Sequence, residues 1–234
     1  MSKYKYLLFD ADNTLFDFSQ AEYNSFKNTC AAFGVSFSEE LYKAYSAIND
    51  GLWKQLERGE IKLEFLKLER FRRLLTEQLG YASSEETLEK ADKWRAEYME
   101  NLSHQSCLID GAEEICALLS KKYTMYITTN GVAQIQKSRF VLSPIYKFFS
   151  GMFISEEIGA AKPSCDYFSY VLDKIGDKNK ADYLVIGDSL TSDCDGAINF
   201  GLDICFYNPH GKPTDGRNVT YNISKLSSLA DILA

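Results

Sequence analysis

The chain has 234 residues, of which 45% are hydrophobic and 25% charged, a composition typical of a globular protein with a sizeable core. Its 26 basic and 33 acidic residues give a net charge of −7, and no run of five or six like charges occurs, which argues against a nucleic-acid polymer as a partner. No apolar stretch approaches the roughly 20 residues that a membrane helix needs, so we expect no membrane span.

The first predicted element is a buried strand at residues 4–9, which ends at Asp10 and Asp12. These acids come before any apolar region long enough for a signal peptide. The six cysteines form no Cys-x-x-Cys pair, which indicates free thiols and a cytoplasmic protein. Two histidines in the whole chain argue against a histidine-rich zinc site.

A helical segment, inserted after the first strand, is predicted at residues 17–102. Ser19 and Ser83 each begin a Ser-x-x-Glu pattern, which is typical of a helix N-terminus. Between them, apolar side chains recur every three or four residues, at Phe65, Leu68, Phe71, Leu75 and Leu79. This spacing places the apolar side chains on one face of a helix, and we expect four helices in the segment.

Beyond residue 102, short apolar strands alternate with helices. Strands are predicted at residues 123–128, 152–154, 183–186 and 204–207, and helices at residues 112–120, 134–142, 166–175, 192–200 and 226–233. This alternation favours a parallel sheet covered on both faces, the doubly wound α/β class. We therefore predict a core formed by residues 1–16 and 103–234, with residues 17–102 as an all-helical domain.

Two of the predicted strands end in pairs of acids. Asp10 and Asp12 follow the first strand, and Asp188 and Asp193 follow the strand at residues 183–186. In a parallel sheet, the carboxyl ends of the strands form the edge where ligands bind. Carboxylates packed together repel each other unless they share a cation, and Mg²⁺ takes such oxygens while leaving room for a substrate phosphate. One aspartate pair alone could equally begin a turn, but two pairs favour a metal site.

Three further residues are expected at the same edge. Thr129 and Asn130 follow the second predicted strand of the core, and Lys162 lies in the loop after the third. A single loop lysine is commonly only solvated, but beside four acids it could neutralise a phosphate oxygen. The Thr129 hydroxyl and the Asn130 backbone N–H could bind the same phosphate, assisted by the N-terminus of the next helix.

Taken in chain order, the residues that follow these strands resemble the four motifs of the haloacid dehalogenase-like (HAD) hydrolase superfamily. Residues 10–15 resemble its DxDxT signature, with Asn13 where many members have glycine. Residues 129–131 resemble the second motif, Lys162 and the proline after it the third, and residues 187–193 the GDxxxxD fourth. The resemblance covers the whole chain. It implies a Rossmann-like HAD core and identifies the helical segment as the small helical cap of the family.

The resemblance also implies a mechanism that these residue types can support. Asp10 would attack phosphorus and form a phosphoaspartate, which splits one difficult displacement into two. Asp12 would protonate the leaving alkoxide and then deprotonate the water that hydrolyses the intermediate. Lys162 and Thr129 would bind the equatorial phosphate oxygens, on which charge is spread during the transfer.

The same resemblance implies a magnesium site. Asp10, the backbone carbonyl of Asp12 and Asp188 would hold the ion, which orients the phosphate and spreads its charge. Asp193 would act on a metal-bound water or on Lys162. The cofactor expected from the sequence is therefore Mg²⁺, and the partner a small phosphorylated metabolite.

A finer resemblance points to the pyrimidine 5′-nucleotidase branch of intracellular phosphatases. It lies in residues 10–17 and in the pairs at residues 52–53 and 70–71, and it implies nucleoside 5′-monophosphates as substrates. Candidates for substrate contacts in or next to the helical segment are Phe16, Phe18, Trp53 and Arg70. Aromatic side chains at helical spacing can equally be core residues, and Arg70 can equally be a salt-bridge partner.

Other functions remain compatible with these motifs. A phosphatase of another small metabolite, such as a sugar phosphate or phosphoglycolate, would use the same core residues, and so would a phosphomutase. A dehalogenase of this fold is disfavoured because such enzymes lack the second acid, Asp12. A Ser189 esterase is rejected because Tyr207 stands where the Asp-x-x-His pattern before His210 needs an aspartate. A binding protein on a phosphatase fold would be expected to have lost Asp10, Asp12 or Lys162.

Overall fold

The computed structural model describes residues 3–233 and contains one six-stranded parallel sheet. In chain order its strands are β1 (Tyr6–Phe9), β2 (Thr124–Thr129), β3 (Gly151–Ile154), β4 (Tyr183–Gly187), β5 (Asp203–Tyr207) and β6 (Tyr221–Ile223). Their order across the sheet is β3-β2-β1-β4-β5-β6. The first strand therefore lies at the centre, between β2 and β4. This confirms the doubly wound α/β class predicted from the sequence.

The two faces of the sheet bury different sets of side chains. In β1, Leu7 and Phe9 belong to one core cluster and Leu8 to the other, as the alternation of a strand requires. β4 alternates in the same way, with Ile186 in the first cluster and Val185 in the second. Strands buried on both faces are apolar throughout, which explains the continuous apolar runs in the sequence.

Helices lie between or after the strands in the chain and cover the sheet. They are α5 (Ala112–Leu119), α6 (Ala133–Leu142), α7 (Ser155–Ile158), α8 (Cys165–Ile175), α9 (Asp195–Phe200) and α10 (Leu229–Ile232). A π-turn at Leu190–Cys194 precedes α9, and a 3₁₀ turn at Leu226–Ser228 precedes α10. The helices predicted at residues 192–200 and 226–233 thus each begin with a turn that is not α-helical, a π-turn in the first and a 3₁₀ turn in the second.

The inserted segment forms four helices, α1 (Phe18–Ala32), α2 (Glu39–Glu57), α3 (Leu63–Arg73) and α4 (Glu85–Ser103). A π-turn, Leu74–Gln78, continues α3. Aromatic side chains fill the core of this helical segment. Among them are Phe26, Tyr45, Phe71, Trp94 and Tyr98, each 0% exposed. The rings of Phe26 and Tyr45 stack with centroids 4.4 Å apart.

The chain divides into two compact units. One comprises the chain up to Phe18 and from Ser106 onward, and the other is Ser19–Gln105. The sheet unit is therefore built from two separate stretches of sequence. Among the residues that the structure describes, no helix is both long and apolar enough to cross a membrane.

Candidate active site

The carboxyl ends of β1 and β4 bring two acidic segments together. The parallel register pairs Phe9 with Ile186, and the Asp10 backbone N–H donates to the Ile186 carbonyl oxygen at 2.8 Å. Asp10 and Asp188 therefore leave neighbouring strands at nearly the same level. Adjacent parallel strands lie only about 4.8 Å apart, so both carboxylates reach the same space beyond the sheet.

A tight turn follows Asp10 and carries the rest of the first motif. Backbone N–H groups of Leu15 and Phe16 donate to the Ala11 carbonyl oxygen at 3.0 and 2.9 Å. Asn13 lies in this turn with a φ of 59°, in the left-handed region that glycine and asparagine adopt at least cost. Asn13 can thus replace a glycine here without changing the path of the backbone. Thr14 donates its hydroxyl to Asp188 Oδ1 at 3.3 Å.

Three acidic side chains form a cluster at this edge. Asp10, Asp188 and Asp193 each offer one carboxylate oxygen, and these oxygens lie within 4.8 Å of one another. Asp193 is fully buried, and the Ser189 backbone N–H donates to its Oδ2 at 3.1 Å. The geometry therefore brings together the side chains of three of the four acids expected at the metal site; the contribution expected of the fourth, Asp12, is its backbone carbonyl.

Lys162 lies among these acids and contacts two of them, Asp10 and Asp193. Its Nζ donates to Asp10 Oδ1 at 2.6 Å, to Asp193 Oδ1 at 2.7 Å and to the Thr128 carbonyl oxygen at 2.8 Å. The side chain is 1% exposed. Three acceptors account for all three ammonium protons, so Lys162 is held in one position and one ionised state.

Asn130 anchors the loop that carries Lys162. Its side-chain amide donates to the Lys162 carbonyl oxygen at 2.8 Å and accepts from the Lys162 backbone N–H at 2.9 Å. This two-bond contact attaches the third motif to the end of β2. Asn130 was predicted as a phosphate-binding residue through its backbone N–H; its side chain has this additional role, which the sequence did not indicate.

Burial and charge change the protonation of the cluster. Burial raises the pKa of Asp10 well above its usual range, Lys162 acts in the opposite direction, and Asp193 and Asp188 raise it further. For Asp188, burial and the neighbouring Asp193 raise the pKa to about 7. Burial would lower the pKa of Lys162, but the attraction of Asp10 and Asp193 outweighs this and raises it. In the absence of a further cation, the cluster thus carries more negative charge than it can readily hold.

The donor set suits a hard divalent cation. It consists of carboxylate oxygens, the ligands that Mg²⁺ prefers, and Mg²⁺ typically takes only one or two of them with water and phosphate oxygens completing the shell. Of the three acids, Asp193 is bound to both Lys162 and the Ser189 backbone. The side chains of Asp10 and Asp188 therefore fit best as direct ligands of such a cation.

Thr129 is the last residue of β2, and its side chain is buried. The hydroxyl accepts from the Gly131 backbone N–H at 3.0 Å, and a hydroxyl that accepts one bond still has its own proton to donate. The N-terminus of α6 is occupied in part, because the Ala133 N–H donates to a carboxylate oxygen of Glu156 at 2.7 Å. That N–H is thus engaged within the protein, and assistance to phosphate binding from the other N–H groups at this helix end stays a prediction.

Asp12 makes contacts on α6 rather than in the acidic cluster. Arg139 donates through Nη1 to Asp12 Oδ1 at 2.6 Å, and the Gln136 side-chain amide donates to Asp12 Oδ2. Arg139 is 0% exposed and Gln136 is 2% exposed. Neither residue was identified from the sequence. The available signal was their spacing: two polar residues three apart on one face of a predicted helix, directly after the second motif.

Two aromatic rings and one glycine shape the surroundings of these α6 side chains. The Arg139 guanidinium carbon lies 4.9 Å from the Phe16 ring centroid and 5.6 Å from that of Phe18. A Cβ at Gly131 would lie 2.1 Å from the Gln136 amide nitrogen, so a side chain at residue 131 would require Gln136 to move from this position. Phe16 and Phe18, considered as substrate contacts from the sequence, thus flank Arg139.

The two remaining predicted substrate-binding residues belong to the helical unit. Trp53, on α2, is half-buried. Arg70, on α3, is 4% exposed, donates to the Asn49 side chain at 3.1 Å, and lies 4.7 Å from the Tyr98 ring centroid. These contacts of Arg70 all fall within the unit, as expected for a packing role, and its function in substrate binding stays a prediction.

Comparisons with known proteins agree with this geometry. A family model described as haloacid dehalogenase-like hydrolase matches residues 4–201. The HAD-hydrolase YfnB of Bacillus subtilis (strain 168) is 37% identical over 234 residues, 100% of this chain and 97% of that protein. A crystal structure of magnesium-bound YfnB superposes with a TM-score of 0.90 at 35% identity, covering 99% of both chains.

Two further relatives carry a more specific description. The pyrimidine 5′-nucleotidase PynA of Streptococcus pneumoniae is 33% identical, with 98% of this chain and 95% of that protein aligned. The pyrimidine 5′-nucleotidase YjjG of Escherichia coli (strain K12) is 28% identical, with 99% and 98% aligned. The similarity in each case extends over both units of the chain.

Proposed function

The chain belongs to the haloacid dehalogenase-like hydrolases, and from this premise we propose that it is a magnesium-dependent phosphatase of pyrimidine nucleoside 5′-monophosphates. The observation that carries the phosphatase assignment is the buried contact of Lys162 with Asp10 and Asp193, with Asp188 beside it. A transferring phosphoryl group is stabilised by fixed positive charge around its oxygens. Lys162 and a shared cation would supply that charge.

Asp10 is the proposed nucleophile. A carboxylate oxygen of Asp10 forms a bond to phosphorus while the bond from phosphorus to the ester oxygen breaks. Lys162 fixes the orientation of this carboxylate through Oδ1. Asp12 gives a proton to the leaving oxygen and recovers one from the water that later attacks the phosphoaspartate, so that the second step restores both aspartates.

Asp10 and Asp188 are the proposed side-chain ligands of Mg²⁺, together with the backbone carbonyl of Asp12. The bound ion would neutralise phosphate charge and orient the phosphoryl group. Asp193 keeps Lys162 in place, and Thr129 donates its hydroxyl proton to a phosphate oxygen. Magnesium in the crystal structure of YfnB and the all-oxygen donor set support this assignment.

The substrate class is proposed from the relatives. PynA and YjjG are both pyrimidine 5′-nucleotidases and align over nearly their whole lengths. We keep Trp53 and Arg70 of the helical unit as candidate substrate-binding residues. The six cysteines are free, which supports the proposed location in the reducing cytoplasm.

A substrate panel tests the proposed function. We expect phosphate release from dUMP and dTMP in the presence of Mg²⁺, and loss of that activity with EDTA. Sugar phosphates and phosphoglycolate are the comparison substrates, and their faster hydrolysis would contradict the nucleotide assignment. Conversion of a sugar monophosphate to its positional isomer without release of phosphate would indicate a phosphomutase, and no turnover of any ester with Mg²⁺ present would indicate a binding protein.

The Asp10→Asn variant tests the covalent mechanism. The amide has almost the same shape but is a poor nucleophile, so phosphate release should fall below detection while thermal unfolding shows a folded protein. Asp166→Asn is the matched control, because Asp166 is exposed on α8. Near-normal turnover in Asp10→Asn would show that Asp10 does not form the intermediate.

A further inference from the structure

Two observations concern the carboxylate of Asp12. Both of its oxygens accept a bond from α6, Oδ1 from Arg139 at 2.6 Å and Oδ2 from Gln136. Both donors are almost completely buried. A carboxylate accepting one bond at each oxygen is fixed in rotation and still has a lone pair on each oxygen. It can therefore be held in place and still exchange a proton.

The donors are themselves held. Arg139 lies near the rings of Phe16 and Phe18, and stacking on aromatic faces suits the planar guanidinium. Gln136 occupies the space that the missing Cβ of Gly131 leaves. Since Gly131 is the last residue of the second motif, the backbone of that motif and the Gln136 side chain that contacts Asp12 constrain each other's positions.

We infer that Arg139 and Gln136 are positioning residues that place the carboxylate of Asp12 for proton transfer in both half-reactions. The inference rests on the proposed phosphatase function. Neither residue needs to contact the substrate. Their effect is to restrict Asp12 to the orientation in which it can protonate the leaving oxygen and later accept the proton of the attacking water. A displacement on the ångström scale in such a group can cost about a hundredfold in rate.

A purely structural role would leave a different kinetic signature. Because a buried guanidinium needs an anionic partner, the Asp12–Arg139 pair could serve only to hold α6 against the turn after β1. In that case the Arg139→Met variant would lose stability, and its remaining folded fraction would show unchanged kcat and leaving-group preference. The two roles can thus be separated by kinetics on folded protein.

The test compares two substrates, an alkyl phosphate and p-nitrophenyl phosphate. Cleavage of the alkyl ester needs a proton donor, whereas p-nitrophenolate leaves without one. For Arg139→Met we expect kcat on the alkyl phosphate to fall about a hundredfold with little change in KM. With p-nitrophenyl phosphate we expect a stoichiometric burst of p-nitrophenolate followed by slow turnover, because hydrolysis of the phosphoaspartate still needs the base.

Further variants keep the test decisive. Arg139→Lys retains the charge and should recover part of the lost kcat. Gln136→Met, which leaves Arg139 intact, should lower kcat on the alkyl phosphate about tenfold, and it carries the test should Arg139→Met not fold. Lys137→Gln is the control, since Lys137 on the same helix is exposed and pairs with Glu157. We expect wild-type kinetics from it.

A double-variant cycle gives the outcome that would overturn the inference. If Arg139 acts through Asp12, adding Arg139→Met to Asp12→Asn should slow turnover no further. Additive losses, or wild-type kcat in folded Arg139→Met and Gln136→Met, would contradict the positioning role. Absence of phosphate release by the wild-type enzyme from both esters would instead contradict the proposed function, so the two failures are distinguishable.

Discussion

The Asp193 side chain packs directly against the backbone at Gly187. A Cβ built on Gly187 would lie 2.3 Å from Asp193 Oδ2 and 2.3 Å from its Cγ, a separation at which one group must move. Asp193 cannot move freely, because it is buried and accepts bonds from Lys162 and the Ser189 N–H. The glycine that ends β4 is thus required by the acid six residues later.

We predict that Gly187→Ala weakens the site through Asp193. Displacing a packed, bonded side chain should lower the free energy of unfolding by about 1–3 kcal/mol. Because Asp193 holds Lys162, kcat should fall by about tenfold to a hundredfold. Urea unfolding and phosphate release measure the two effects.

Gly151→Ala is the matched control for this change. Gly151 is also a strand residue, in β3, but a Cβ there would lie 3.7 Å from the Tyr126 ring, an ordinary van der Waals contact. We expect a smaller change in stability and unaltered activity. Equal losses in the two variants would show that the effect of Gly187→Ala does not come from Asp193.

At the scale of single residues, the sequence predicted the groups whose positions follow from strand ends. Asp10 and Asp188 directly follow apolar strands, and the parallel register places them side by side. Gln136 and Arg139 could not be identified in this way, because a helix has several faces and the sequence does not say which one meets Asp12. Only the packing of α6 on the turn after β1 decides it.

At the scale of elements, the ends of helices and the short strands were least predictable. Ser83 was the expected N-cap of α4, but Ser84 is the cap, and its hydroxyl accepts from the Thr87 N–H at 3.3 Å. Ser83, and not Ser84, has a glutamate three residues later, so the capping pattern indicates a cap one residue too early. The strand β6 was missed, because three residues are too few to show alternation.

The helical unit contains a buried polar network centred on Glu22 of α1. Glu22 accepts from the Tyr42 hydroxyl at 3.1 Å and from the Asn49 amide at 2.9 Å, and Asn49 accepts from Arg70 at 3.1 Å. Burial raises the pKa of Glu22 to about 7, although Tyr42, Arg70 and Asn49 favour the charged form. The folded unit therefore binds a proton that the unfolded chain releases at lower pH.

This network gives a predicted pH dependence of stability. The ordinary pKa of a glutamate, taken for Glu22 in the unfolded chain, is 4.5. The stabilisation that protonated Glu22 adds to the free energy of unfolding is therefore fully present below about pH 4.5, and it is lost as pH rises through about 7. The difference between the two values corresponds to on the order of 3 kcal/mol. Urea unfolding at pH 5 and pH 8 should therefore show a smaller loss of stability in Glu22→Gln than in the wild type.

Other groups also titrate in this range, so the comparison with a control variant is essential. Glu89 on α4 is exposed, and Glu89→Gln should keep the wild-type difference between pH 5 and pH 8. If the stability of Glu22→Gln shows the same pH dependence as that of Glu89→Gln, then burial does not raise the pKa of Glu22 as described. Activity need not be measured in this test.

At the scale of the whole molecule, the insertion separates β1 from its sheet partners. β1 pairs with β2 and β4, which lie more than 110 residues later in the chain, and such distant pairings are costly to close and slow to form. The acidic cluster draws on both parts, Asp10 before the insertion and Asp188 after it. It therefore exists only when the sheet unit is assembled.

A cation that binds this cluster should consequently stabilise the folded sheet unit as a whole. Ligand that binds only the folded state raises the free energy of unfolding by about 2.7 kcal/mol at a hundredfold excess over Kd. For a chain of this size, that corresponds to a rise in Tm of about 5 °C or more. We predict such a rise with Mg²⁺, its reversal by EDTA, and no comparable rise with Na⁺ at equal ionic strength.

Asp188→Asn separates specific binding from general screening of the net charge of −7. It removes one carboxylate from a cluster in which burial and Asp193 already disfavour the charged form of Asp188. Without Mg²⁺, the variant should thus be at least as stable as the wild type, while its Tm should no longer respond to Mg²⁺. Asp166→Asn changes the net charge equally at an exposed position and should retain the full response. An undiminished Mg²⁺ response in Asp188→Asn would place the cation elsewhere.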